Sequence, residues 1–132
     1  MESAESSVPF RPQHRGLRVR QEAAVLAGAV YDAVDRMVEG RRGSFGDQMR
    51  RAAVSVHANL AEGEGRDGAR DRQRFFTIAW ASLRELNAHI ELAVSVGALP
   101  ASEAPHLYAH CRHVGRMLHA LRRSLSEPSS QR

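Results

Sequence analysis

Apolar residues recur at spacings of three and four along four stretches of this chain, and no proline falls between Gly16 and Leu99. That period puts side chains on one face of an α-helix. A proline-free stretch of this length permits helices of many turns. Ala23, Leu26, Val30, Val34 and Met37 mark a first helix from about Leu17 to Val38, ended by Gly40 to Gly43. Phe45, Met49, Ala52, Val56 and Leu60 mark a second, which begins after Ser44 and stops at Gly63 and Gly65. Ser44 followed by Asp47 resembles a capping box, with Asp in the place of Glu. Phe76, Ala79, Leu83, Leu86, Ile90 and Ala93 mark a third helix from about Ala69 to Val96, closed by Gly97. A second apolar row on it, Phe75, Ile78 and Leu92, predicts burial on two sides. Leu107, Cys111, Val114, Leu118, Leu121 and Leu125 mark a fourth from about Ala101 to Leu125, with Ser102 as its cap.

Four helices with short connections predict an all-α, antiparallel up-down-up-down four-helix bundle over residues 17–125. The 132 residues suit one domain. Aromatics are only 5%, so the core must be built from Ala, Val and Leu, which favours close helix packing. No run of alternating β-branched residues signals a strand. Residues 1–16 and 126–132, rich in Ser, Pro and Arg, are expected to be flexible tails. Met1-Glu2-Ser3-Ala4-Glu5 lacks the apolar core of a signal peptide, and no apolar run approaches the roughly 20 residues of a membrane span. Cys111 is alone, so no disulfide framework is available. A cytoplasmic protein without membrane attachment is the expectation.

All 19 basic residues are arginine, against 15 acids. Arg112, Arg116, His119 and Arg123 are spaced 4, 3 and 4 apart and so share one helix face. Arg66, Arg70, Arg72 and Arg74 cluster at the start of the third helix, and Arg50 and Arg51 sit early in the second. These nine are candidate phosphate contacts, because guanidinium is permanently charged and planar. The competing reading is a solvated face whose arginines pair with Glu62, Glu85 or Asp71. No aromatic is interleaved with the arginines along the chain. Base stacking is therefore not predicted, and binding should be driven by the backbone, salt-sensitive and weakly sequence-specific.

No catalytic or metal-binding constellation emerges, and no cofactor is expected. His106, His110 and His113 share a stripe, but the first and last lie about 10 Å apart along the axis and cannot share one metal ion. Glu62, Glu64, Asp67 and Asp71 crowd one turn, yet they alternate with arginines and suit the helix N-terminus that follows. Ser55, His57 and Asn59 sit two apart, so they cannot converge as a triad. Cys111 falls in an apolar seam and reads as a buried thiol; Trp80 and Tyr31 read as packing or interface residues.

From His14 to Leu125 the chain resembles the bacterial four-helix-bundle family of ribosomal-RNA intervening-sequence proteins. The resemblance rests on Leu17-Arg18-Val19-Arg20-Gln21, on Val30-Tyr31, and on Phe45-Gly46 followed by Gln48-Met49-Arg50-Arg51-Ala52-Ala53-Val54-Ser55. It continues in Asn59-Leu60-Ala61-Glu62-Gly63 with Arg66, in Ala81-Ser82-Leu83-Arg84-Glu85-Leu86 and in Glu91-Leu92-Ala93. The chain departs from the family's pattern at Arg20, where a Trp is usual, and at Val56-His57-Ala58, where Ile-Pro-Ser is usual. The resemblance implies a homopentamer. The bundle is also similar in fold to accessory proteins of diversity-generating retroelements, which bind nucleic acid and a reverse transcriptase. Together these readings predict a non-catalytic homo-oligomer that binds nucleic acid, RNA before DNA, through its arginines. The alternative is an assembly scaffold that binds another protein and touches no nucleic acid.

Overall fold

The computed structural model describes residues 12–126. It consists of four helices: α1 Pro12–Asp35, α2 Asp47–Glu64, α3 Ala69–Ser95 and α4 Ala104–Ser126. A π-helical turn, Arg42–Gly46, leads into α2, and a 3-10 turn, Ala101–Glu103, leads into α4. There is no strand among the described residues. Each helix packs on its neighbours in sequence, and α4 closes against α1. Contacts join the start of one helix to the end of the next. Arg20 in α1 meets Glu64 in α2, Gly63 in α2 lies against Phe76 in α3, and Gln73 in α3 donates to the carbonyl of Arg122 in α4. The bundle is therefore antiparallel, as the short connections predict.

The core contains the apolar stripes read from the sequence, together with Val19, Ala33, Ala53 and Ala104, which those stripes leave out. Ala23, Leu26, Val30, Val34 and Met37 of the first stripe are buried, as are Met49, Ala52, Val56 and Leu60 of the second. The α3 seam from Phe76 to Ala93 and the α4 seam from Leu107 to Leu121 are buried too, while Phe45 and Leu125 pack only partly. One end is sealed by two loops. The Val38 N–H donates to the Ala98 carbonyl at 3.0 Å, and Arg41 Nη1 donates to the Val96 carbonyl at 3.2 Å. Ala98 and Leu99 are buried beneath them, and Arg36 grips Glu103 with two hydrogen bonds of 2.9 and 3.1 Å.

The ends of the helices differ from expectation. Pro12 opens α1, five residues ahead of Leu17, where its missing N–H removes no intrahelical bond. Of the flexible tails expected at residues 1–16 and 126–132, residues 12–16 and 126 belong to α1 and α4, and residues 1–11 and 127–132 lie outside the described residues. Ser44 is no N-cap: the backbone is already helical there, and Asp47 pairs with Arg50 instead. Ser102 is none either, because it lies inside the 3-10 turn that precedes α4, and Pro100 supplies the extended residue before that turn. Gly63 does not stop α2 but lies within it, pressed on Phe76. The row Phe75, Ile78 and Leu92 is not buried by the bundle: Phe75 is half-buried, and Ile78 and Leu92 are 39% and 50% exposed.

Candidate nucleic-acid interface

The nine candidate arginines divide by whether a carboxylate reaches them. Arg50 pairs with Asp47 at 2.7 Å and lies over the Tyr31 ring. Arg66 pairs with Glu62 at 2.8 Å and Asp71 at 3.8 Å, and Arg74 pairs with Asp71 at 3.3 Å. Both guanidiniums also flank the Phe75 ring, at 4.7 and 4.5 Å. Arg72 is half-buried and donates to the carbonyl of Arg66. Three of these four are held by carboxylates and Arg72 by a backbone carbonyl, as the internally paired reading expects.

The other five are different. Arg51, Arg70, Arg112, Arg116 and Arg123 are exposed, and their side chains find no hydrogen-bond or ion-pair partner among the described residues. For Arg112, Arg116 and Arg123 the reason lies in α4, which carries four arginines and four histidines and not one carboxylate. Glu22 of α1 comes within 3.6 Å of His113, not of an arginine.

Arg112 and Arg116 stand on one rim of an open groove of about 860 Å³ between α3 and α4. Its floor is apolar, made by Leu83, Cys111 and Gly115. Arg84 of α3 stands on the opposite rim, also exposed and unpaired among the described residues. Trp80 and His119 close one end, their ring centroids 6.3 Å apart. Glu91 and Asn87 lie toward the other. Burial pushes the Cys111 thiol up to about 11, so it is neutral near pH 7 despite the nearby Arg112.

Although no aromatic is interleaved with the arginines along the chain, the fold brings Trp80 to them, as it does Tyr31 and Phe75. The Arg122 guanidinium lies 5.5 Å over the Trp80 ring and reaches Thr77 Oγ1 at 3.4 Å. Thr77 in turn lines a second recess of about 460 Å³ with Arg70, Arg74 and Leu125. Arg122 thus links two recesses along α3 and α4, one lined by Arg70 and Arg74, the other by Arg84, Arg112 and Arg116. Arg84 and Trp80 lie outside the arginine clusters of the sequence and so escape a reading by charge alone. The signal was present: Trp80, Arg84, Asn87 and Glu91 are spaced 4, 3 and 4, like the α4 row that they face.

The remaining clusters have structural partners. The Ser55 and Ser82 hydroxyls bond at 2.7 Å across α2 and α3, and Asn59 donates to the Ser55 carbonyl at 2.9 Å. His106 and His110 stack edge to face, and the His110 pKa is lowered by partial burial, then by His106 and His113. Glu64 is committed to Arg20 at 2.6 Å. No group of three or more His, Cys, Asp or Glu among the described residues is placed to hold a metal ion. No helix among them is long and apolar enough to cross a membrane.

A comparison with curated proteins returns no match. A family model described as 23S rRNA-intervening sequence protein matches residues 15–120, which span all but the edges of the bundle. With four helices in the expected order and that match over most of its length, the chain belongs to the 23S rRNA-intervening sequence protein family.

Proposed function

We propose that this protein is a non-catalytic, cytoplasmic homo-oligomer, a pentamer, that binds RNA through the basic face of α3 and α4. One observation carries this reading: α4 holds arginines that no carboxylate of the bundle neutralises. Arg112, Arg116 and Arg123, with Arg84 across the groove, are permanent cations free to meet phosphate. In a closed ring the face repeats around the axis, and a formal charge of +4 per chain becomes a concentrated field. Assembly would cover Ile78 and Leu92, exposed apolar residues on the outward side of α3.

The test is binding to labelled structured RNA and duplex DNA across a salt series. Replacing Arg112, Arg116 and Arg123 together by Glu is expected to abolish binding and leave the melting transition in place, since all three are exposed. Undiminished binding by the triple variant would overturn the assignment of the face. Absence of binding by the intact protein at low salt would favour the alternative, a protein-binding scaffold, for which the apolar groove floor would be the contact.

A further inference from the structure

The groove has a feature that phosphate contacts alone do not use. Between its arginine rims lies an apolar floor, and at one end stands the chain's single tryptophan. Duplex nucleic acid presents its phosphates outward and keeps its bases stacked, so it would ride on the rims and leave the floor empty. An occupant that fills the groove must be flat and apolar at its centre and multiply anionic at its edges. From Trp80 to Glu91 the trough runs about 16 Å along α3. Its volume falls in the range of small-molecule sites, on the order of 300–1,000 Å³.

Resting on the RNA-binding reading above, we propose that the α3–α4 groove seats unpaired nucleotides, with a base stacked at Trp80 and the flanking phosphates on Arg84, Arg112 and Arg116. Arg122 already lies over the Trp80 ring, which braces the indole while the same ring lines the groove. His119 adds a second aromatic wall at that end. Aromatic platforms of this kind take any base, because every base has a π-face. Gly115 keeps the floor low: a Cβ there would meet only Leu83 Cδ2, at 3.5 Å, so the position is bare without being forced to be. Glu91, at the far end, sets a limit to the phosphate track. Specificity is thus for single strands, loops and bulges over helices.

The only tryptophan reports directly on the groove. Three probes of equal length are titrated into the full-length protein at low salt: single-stranded oligoadenylate, an abasic sugar-phosphate strand, and the RNA duplex. An acidic amphipathic peptide is run beside them. Oligoadenylate is expected to quench Trp80 emission and to bind about tenfold or more tighter than the abasic strand. The abasic strand and the duplex are expected to bind without quenching. Gly115→Leu, which fills the floor, is expected to erase the advantage of the bases and keep abasic binding; Gly115→Ala, which fits without a clash, should reduce it. Equal affinity with and without bases, and unchanged emission, would overturn the inference and leave the phosphate reading standing. Failure of every strand to bind would overturn that reading itself. Quenching by the peptide, with no advantage for bases, would assign the groove to a protein segment and overturn the inference.

Discussion

Gly63 leaves no space for a methyl group. A Cβ at this position would fall 2.4 Å from Phe76 Cε1, and the ring belongs to the fully packed seam of α3. Glycine costs about 1 kcal/mol within a helix, and here it lets α2 and α3 approach each other. Gly63→Ala is therefore expected to lower stability by about 1–3 kcal/mol, through overpacking, in a denaturant titration. Adding Phe76→Leu should recover part of that loss, because the second change removes the clashing atoms. Cys111 makes a prediction in pH. Its thiol lies at about 11 in the fold against an ordinary value of 9.0, because burial disfavours the thiolate. The unfolded chain loses that proton first, so stability is full below pH 9 and declines as pH rises toward 11. The decline should reach on the order of 2 kcal/mol. Cys111→Ala, followed by thermal melts across that range, should remove this part of the decline and leave the smaller one from Tyr108, whose hydroxyl pKa is also raised by burial.

Among the elements, the end of α3 is the most closely specified. Gly97 takes φ +78°, its N–H donates to the Val94 carbonyl, and the Ala98 N–H donates to the Ala93 carbonyl at 2.8 Å. These bonds satisfy carbonyls that the last turn leaves open. Gly97→Ala must put a side chain into the left-handed region, at a cost of about 1–2 kcal/mol. It should shift the melting temperature without altering helix content by circular dichroism. The stop at Gly97 was legible in the sequence, and so were all four apolar seams, because a 3.6-residue period survives any change of neighbour. Helix starts were not. Ser44 and Ser102 match the residue preference of a cap, but a cap also needs extended backbone, and the packing of Gly46 on Val34 and the turn after Pro100 decide that elsewhere. The arginines were half legible. Spacing put Arg112 and Arg116 on one face, yet whether a carboxylate reaches them depends on which helix lies opposite. For Arg66 and Arg74 the partner Asp71 is local, whereas the groove facing α4 offers Arg84 and Trp80.

For the whole molecule, the proposed ring and the proposed binding face are on different surfaces, so they can be separated. Ile78 and Leu92 belong to the outward row of α3, while Arg84, Arg112 and Arg116 line the groove. Leu92→Glu puts a charge on a half-exposed position and is expected to split the oligomer, read by sedimentation velocity, without unfolding the bundle. The salt dependence of RNA binding then distinguishes a ring from a string of independent sites. If each chain brings Arg84, Arg112, Arg116 and Arg123 to a single strand, log affinity should fall against log salt with a slope of about −3 for one subunit. A ring engaging several subunits multiplies that slope. Leu92→Glu should therefore lower the slope to the single-subunit value as well as weaken binding. A variant that comes apart yet keeps the steep slope would mean that all the neutralised phosphates lie on one chain, and that the ring serves something other than charge.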